Sequence, residues 1–153
     1  TVNVWAKFTS PVDPEVDGSW ERLIDFGNGT PLNNIIWCRD GTSNSMIMDI
    51  EGVNSDYMDP SDPSINYEQW TMYTMLADGT YWKMYKNGVF QCFEINNLLP
   101  YIVTRNLNYI GKSNWEGDAN YLGAMSVIQL YNRALTEPEL AQTFDYFKGR
   151  YGL

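Results

Sequence analysis

Two turn sequences, Asp78-Gly79 and Asn87-Gly88, divide residues 70–95 into three runs of strand length. Asp-Gly and Asn-Gly are strong signals for a tight hairpin, because both central positions of a type I′ turn require a positive φ angle. The three runs therefore predict an antiparallel meander. This meander is the strongest local constraint on the fold.

The start of the chain has the pattern of a further strand. Apolar side chains at positions 2, 4, 6 and 8 alternate with the side chains between them. A period of two residues predicts a strand with one buried face. Gly-containing turns at 28–30 and 40–42 separate additional strands. The other strand-like runs are residues 20–26, 34–39, 45–51, 107–111 and 124–131.

The last part of the chain predicts a helix. Thr136 followed by Glu139 matches a capping box, and Leu135 and Leu140 occupy the two positions of a hydrophobic staple. Apolar residues then recur at helical spacing, which predicts one stripe packed against the rest of the fold. The stripe comprises Leu140, Phe144, Phe147 and Tyr151.

Many strands and a single terminal helix predict an all-β fold, a two-sheet antiparallel sandwich. An alternating α/β fold would need a helix between successive strands. No internal repeat or low-complexity linker interrupts the chain, so we expect residues 1–153 to form a single domain. A chain of this length buries roughly 70% of its unfolded surface, which is enough for a core.

The composition excludes several classes of function. The chain has 10 basic and 19 acidic residues, no histidine, and a net charge of −9. A negative field repels polyanions, so nucleic acid is not expected as a partner. The absence of histidine removes the usual proton shuttle, the Ser-His-Asp triad and most zinc sites. Without a long apolar run or a signal peptide, we expect a soluble chain and no membrane insertion.

Cys38 and Cys92 lie within strand-like runs rather than at the spacing of metal ligands. We interpret them as two buried thiols. A disulfide is the alternative, and we favour thiols because the sequence alone does not place the two Cα atoms within bridging distance.

Three stretches resemble laminin-G-like, concanavalin A-like jelly-roll modules. They are WERLIDFGNG at residues 20–29, YIGKSNW at 109–115 and LYNRALT at 130–136, in the order in which the family has them. The end of the chain, FKGRYGL at 147–153, resembles the ends of such modules in phage structural proteins and in large viruses of algae.

The resemblance implies two antiparallel sheets packed face to face, in a lectin-glucanase jelly roll outside a cell, on a cell surface or on a virion. Such modules bind sugars or proteins, sometimes with calcium. The family also has a strand before the position of Thr1. The resemblance therefore implies that this domain lacks the family's first strand, which would leave an open edge or groove.

The same superfamily includes glycoside hydrolases whose catalytic strand carries Glu, Asp and Glu on one face. Residues 47–51, IMDIE, match that strand in part. Ile47 stands at the position of the nucleophile, and an alkyl side chain cannot form a glycosyl ester, so we expect no enzyme activity. Asp49 and Glu51 share a face and either bind sugar hydroxyls or form a solvated polar face.

Aromatic residues in loops are the best candidates for a sugar-binding platform. Trp115 and Tyr57 lie in predicted loops, whereas Trp5, Trp20 and Trp70 lie on strands and are assigned to the core. The predicted ligand-binding residues are Trp115, Asp118, Asn120, Tyr121, Tyr57, Asp49 and Glu51.

Calcium prefers several hard oxygen ligands from a flexible loop. Asp56, Asp59 and Asp62 recur at every third position of an insertion rich in Asp and Pro, and Asp118 with Asn120 lies in another loop. Both sets are candidate calcium ligands, although Asp and Pro also form turns without a metal.

Asn28-Gly29-Thr30 matches the acceptor sequence for N-glycosylation. A eukaryotic source, or a virus that glycosylates its own proteins, would be needed to modify Asn28. Otherwise the tripeptide is a turn.

The first functional hypothesis is a non-catalytic recognition module that binds carbohydrate or another cell-surface ligand. Its partner would be a glycan or a surface protein, and its location extracellular, on a cell surface or on a virion. The alternative is a structural or fibre subunit that self-assembles through a donated or paired edge strand.

Overall fold

The computed structural model describes residues 1–11, 19–30, 33–50, 57–58, 65–95 and 98–153. They form two five-stranded antiparallel sheets and one C-terminal helix, which confirms the predicted jelly-roll sandwich. In chain order the elements are β1 (Val2–Phe8), β2 (Arg22–Gly27), β3 (Ile35–Arg39), β4 (Met46–Ile50), β5 (Tyr57–Met58), β6 (Thr71–Ala77), β7 (Tyr81–Lys86), β8 (Val89–Ile95), β9 (Leu107–Ile110), β10 (Gly123–Leu130), the helix α1 (Glu137–Lys148) and a 3-10 turn (Gly149–Tyr151).

The first sheet has the strand order β10-β1-β6-β7-β8, and the second has the order β5-β4-β3-β2-β9. β1 pairs with β10 on one side and with β6 on the other. The absence of a strand before Thr1 stays a prediction. The main core between the two inner faces comprises Val4, Ala6, Phe8, Leu23, Ile24, Trp37, Met46, Met48, Ile50, Ile65, Tyr73, Met75, Trp82 and Met84.

The predicted meander forms as β6, β7 and β8. In the β7–β8 turn, Asn87 and Gly88 both adopt positive φ angles, 54° and 76°. The β6–β7 turn is built differently, because there Gly79 alone has a positive φ angle, 91°. The Asp78 carboxylate instead accepts a hydrogen bond from the N–H of Tyr81 at 2.8 Å. Both dipeptides turn the chain, by two different backbone geometries.

The helix α1 packs on the outer face of the first sheet. The indole of Trp5 stacks on the ring of Tyr151 at 4.3 Å between centroids and on Phe144 at 5.7 Å. Leu140 is fully buried in a cluster with Leu135. The helix and the 3-10 turn therefore cover the second face of β1. The pattern predicted only one buried face for β1, and this is wrong because both faces are buried.

The helix begins with the predicted capping box. The N–H of Thr136 donates to the Glu139 carboxylate at 2.8 Å, and the Thr136 hydroxyl donates to it at 3.0 Å. The hydrogen bond from Arg133, followed by those from Thr136, lowers the pKa of Glu139 to about 2. Within the described part of the chain, no helix has both the length and the apolar character needed to span a bilayer.

The two cysteines lie in different sheets. Cys38 is buried in β3, and Cys92 is half-buried in β8. Neither residue forms a disulfide, in agreement with the interpretation as thiols. The expectation of full burial holds for Cys38 alone.

Three tryptophans assigned to the core differ in burial. Trp5 is fully buried, and Trp70 is half-buried beside Tyr151 at 4.8 Å between ring centroids. Trp20 is 38% exposed, so its assignment to the core is wrong. It precedes β2 and has a φ angle of 58°, outside the pleated strand that would turn its side chain inward.

We predict that Leu140→Ala lowers the free energy of unfolding by about 3 kcal/mol, because it removes a fully buried side chain between α1 and the first sheet. Urea unfolding followed by tryptophan fluorescence measures the loss. Tyr146→Ala on the same helix is the control, since Tyr146 is 77% exposed and its loss should change stability by less than about 0.5 kcal/mol. Equal effects of the two variants would contradict the docking of α1.

Candidate functional site

A cleft of about 270 Å³ lies on the outer face of the second sheet. Its walls come from β2, β3 and β4 and from the loop between β9 and β10, which we call the 111–122 loop. The volume is just under the range of roughly 300–1,000 Å³ typical of drug-sized sites, so the cleft suits a small ligand. The lining residues are Trp20, Arg22, Ile36, Cys38, Ile47, Asp49, Trp115 and Asp118.

The alternation of the strands explains which side chains reach the cleft. In the β3–β4 register, Ile36 lies opposite Asp49, and Cys38 lies opposite Ile47. The residues between them, such as Trp37, point into the core. Ile36, Cys38 and Ile47 therefore form an apolar floor, against which the Trp115 indole packs.

A buried carboxylate fastens the 111–122 loop to the second sheet. Asp25 of β2 is fully buried. It accepts hydrogen bonds from the backbone N–H of Asn114 at 2.8 Å and from the Asn114 side chain at 2.7 Å. The side chain of Asn34 donates a third hydrogen bond at 2.8 Å. Hydrogen bonds to a charged acceptor are stronger than neutral ones, so this carboxylate fixes the position of the loop.

The contact between β2 and Asn34 requires a glycine at position 27. A Cβ atom added to Gly27 would lie 2.3 Å from the side chain of Asn34. Any larger residue there would displace the amide that donates to Asp25. Gly27 therefore belongs to the support of the cleft, although it does not line it.

Arg22 joins the loop to the floor of the cleft. Its guanidinium donates to the Asp118 carboxylate at 2.8 Å, and its Nε lies 3.7 Å from Asp25. The same guanidinium lies over the Trp115 ring, 5.4 Å from the centroid. This is the geometry of a cation–π contact. The Trp115 indole is thus held in place by Arg22 on one side.

A second set of hydrogen bonds orders the backbone beside Trp115. The Ser113 hydroxyl donates to Asp118 at 2.7 Å and accepts from the N–H of Trp115 at 2.9 Å. The rim of the cleft is therefore preorganised, and a ligand would not have to order it.

Cys38 is the one thiol in the described lining of the cleft. Burial raises its pKa to about 12, so the thiol stays protonated at neutral pH. A protonated thiol is a poor nucleophile. Ile47, in the position of the glycosidase nucleophile, lies in the apolar floor beside it.

The structure brings Trp115, Asp118 and Asp49 together in one cleft. Asn120 is exposed in the same loop but does not line the cleft. Tyr121 turns inward, where its ring packs edge-on against Phe8 at 4.8 Å, and burial raises its pKa. Glu51 and the side chain of Tyr57 lie outside the described residues.

The predicted metal ligands Asp56, Asp59 and Asp62 also lie outside the described residues. Within the described ranges, no group of three or more acidic or cysteine side chains is close enough to hold a metal ion. Arg22 and Ser113 both donate to the same oxygen of Asp118, Oδ2, and calcium at Asp118 and Asn120 stays a prediction. Calcium at the insertion stays a prediction.

The Asn28 amide bridges two loops. Its Nδ2 donates to the carbonyl of Thr104 at 2.8 Å, and its Oδ1 accepts from the N–H of Asn106 at 2.8 Å. A glycan attached at Nδ2 would compete with the first of these hydrogen bonds. Glycosylation of Asn28 stays a prediction.

Sequence reasoning missed Trp20, Arg22, Ile36 and Cys38 as lining residues. One signal was available, because β2 carries two charged residues, Arg22 and Asp25, among apolar ones. Such a residue is buried only when it is paired. The pairing partner Asp118 is 96 residues away, so the sequence could not identify it.

A family model, that of the concanavalin A-like lectin/glucanases, matches residues 1–141. The chain belongs to the concanavalin A-like lectin/glucanases superfamily. The resemblance of the sequence to this family is thereby confirmed. Comparison with curated proteins found no match.

Solved structures with the superfamily fold are similar to the chain at low identity. The CBM40 module of the Ruminococcus gnavus IT-sialidase has a TM-score of 0.74 at 16% identity, over 94% of this chain and 80% of that one. The leech intramolecular trans-sialidase has a TM-score of 0.72 at 18% identity, over 92% of this chain and 22% of that one. The botulinum neurotoxin serotype G binding domain has a TM-score of 0.60 at 16% identity, over 95% of this chain and 35% of that one.

We predict that Asn114→Ala lowers the free energy of unfolding by about 2 kcal/mol, because it removes a hydrogen bond to the buried Asp25 carboxylate. Asn120→Ala is the matched control in the same loop, since Asn120 is exposed, and its effect should be below about 0.5 kcal/mol. Urea denaturation measures both values. If Asn114→Ala were as stable as the control, Asp25 would not anchor the loop.

Proposed function

We propose that this chain is a non-catalytic module that binds carbohydrate in the cleft on the second sheet. The observation that carries the proposal is the pair of indoles, Trp20 and Trp115, in one small cleft with the carboxylates of Asp49 and Asp118. Aromatic rings pack against the apolar face of a sugar, while carboxylates accept hydrogen bonds from its hydroxyls.

The chemistry of the cleft supports binding rather than hydrolysis. Retaining glycosidases place two working carboxyl groups about 5.5 Å apart, one of them as the nucleophile. The residue in that position here is Ile47, which lies in the apolar floor. The thiol of Cys38 stays protonated and buried. The chain also has no histidine for proton transfer.

Similar structures support the choice of carbohydrate. The Ruminococcus gnavus module was solved bound to α2,3 sialyllactose, and it shares the fold over 94% of this chain. The toxin neighbour is a binding domain. A glycan or a glycosylated surface protein is therefore the proposed partner, and a cell surface or virion surface is the proposed location.

We predict that Trp115→Ala weakens glycan binding at least tenfold, because it removes the ring that a sugar would pack against. The measurement is retention on a glycan array, followed by titration calorimetry with a retained glycan. Tyr146→Ala is the control, since it removes an equally aromatic but exposed ring on α1. Binding that survives Trp115→Ala would place the sugar elsewhere, and an absence of binding to any glycan would refute the function.

The second candidate function is that of a structural or fibre subunit, and one observation favours it. β8 is an edge strand of the first sheet. Its four large apolar side chains are exposed, and its one charged residue is Glu94. Unprotected apolar edges pair readily with another strand. The exposed side chains are Val89, Phe90, Phe93 and Ile95.

For this candidate we predict that the chain self-associates at about 10–100 µM and that Phe93→Lys makes it monomeric, because a charge in the middle of an edge strand opposes pairing. Sedimentation equilibrium measures the mass. Tyr146→Lys is the control, with an exposed aromatic residue replaced on α1 rather than on the edge. A wild-type chain that stays monomeric over this range would rule out assembly through β8.

A further inference from the structure

The charges of the cleft limit the class of sugar that fits it. Among the described lining residues, Arg22 is the one cation, and Asp49 and Asp118 are carboxylates. The lining therefore has a formal charge of +1 − 2 = −1. The buried Asp25 carboxylate lies 3.7 Å from Arg22, directly behind it. The cleft is thus acidic, in a chain whose net charge is −9.

Arg22 is not available to an incoming anion. Its guanidinium is bound to Asp118 at 2.8 Å, lies close to Asp25 and is covered by the Trp115 ring. The side chain is 6% exposed. A carboxylated sugar would have to displace Asp118 and leave that carboxylate without its cation at the edge of a buried network, which is unfavourable.

The charged residues of the 111–122 loop do not reverse the negative charge of the cleft lining. Lys112, the cation of the 111–122 loop, directs its ammonium to the Tyr109 ring on β9, 4.8 Å from the centroid. Glu116 is exposed in the same loop, next to Trp115. Lys112 and Glu116 carry opposite charges, so together they leave the formal charge of the described lining unchanged.

We propose that the cleft selects sugars that carry hydroxyl or amino donors and no acidic group. This inference rests on the proposed carbohydrate-binding function. Carboxylates accept hydrogen bonds and cannot donate them at neutral pH, so they pair with hydroxyl and ammonium donors and repel a sugar carboxylate. The chain thereby differs from its structural neighbour from Ruminococcus gnavus, which was solved with a sialylated ligand.

The test is a glycan array with three matched classes: neutral oligosaccharides, oligosaccharides of glucosamine with free amines, and sialylated or uronic oligosaccharides. We expect the wild-type chain to retain the first two classes and to bind the acidic class at least tenfold more weakly. Binding should be lost in Trp115→Ala. Retention of acidic glycans that Trp115→Ala abolishes would overturn the inference and leave the proposed function standing.

The other outcomes are also decisive. Retention of no glycan at all, or retention that Trp115→Ala leaves unchanged, would refute both the proposed function of the cleft and the inference. A pure charge effect predicts in addition that raising the salt concentration weakens binding of the amino sugars and leaves binding of the neutral sugars unchanged.

A second variant tests the role of Asp118 directly. Asp118→Asn keeps the shape of the side chain and removes the charge that neutralises Arg22. We expect it to increase binding of 3′-sialyllactose at least fivefold relative to the wild type, provided that circular dichroism shows an intact fold. Asp145→Asn removes an equal charge on α1, remote from the cleft, and should leave sialyllactose binding unchanged. Equal responses of the two variants would show that Asp118 does not exclude acids.

Discussion

The buried carboxylate of Asp25 determines where the candidate site can form. It receives hydrogen bonds from Asn34 and from two groups of Asn114, and it lies beside the guanidinium of Arg22. A carboxylate without these partners would be very unfavourable at this depth. The second sheet and the 111–122 loop must therefore adopt the geometry that satisfies it. Trp115, which follows Asn114 directly, is placed at the rim of the cleft as a consequence.

The two outer faces of the sandwich have different roles because the helix covers one of them. Phe144 of α1 and Tyr151 of the 3-10 turn stack on Trp5 of the first sheet, and Leu140 of α1 is buried in a cluster with Tyr85 of the same sheet. The outer face of the second sheet carries the cleft instead. A charged residue on this face is tolerated only through pairing, and Arg22 with Asp118 meets that condition. The same pairing fixes the rim and neutralises the cation of the described lining.

Sequence patterns predicted the elements well because each rests on local chemistry. The turn at Asn87-Gly88 and the capping box at Thr136 involve residues at most a few positions apart, and both form. The alternation in β1 predicted one buried face, although Trp5 on the other face was assigned to the core; what covers Trp5 could not be predicted, because Phe144 and Tyr151 are more than 130 residues away. Trp20 was misassigned to the core because it lies before the first residue of β2, Arg22, and not within the strand.

The candidate site was predicted only in part, because residue types are visible in the sequence and contacts between distant residues are not. Trp115, Asp118 and Asp49 were chosen for their residue types, and they lie in one cleft. Tyr121 has an equally suitable residue type, yet its ring packs inward against Phe8. This could not be predicted, because the sequence of a loop does not state the direction of its side chains. Arg22 was missed because its role depends on a pairing between distant parts of the chain.

A shared fold does not determine the ligand of a concanavalin A-like module, since specificity depends on the few side chains that face it. The two-sheet frame of this chain is similar to that of a module solved with sialyllactose. Its cleft nevertheless pairs the one cation of the described lining with an acidic neighbour, Asp118. An arginine recognises a sugar carboxylate only when its donors face the ligand. Here Asp118 holds one of those donors and the Trp115 ring lies over the guanidinium, which supports the proposed preference for sugars without an acidic group.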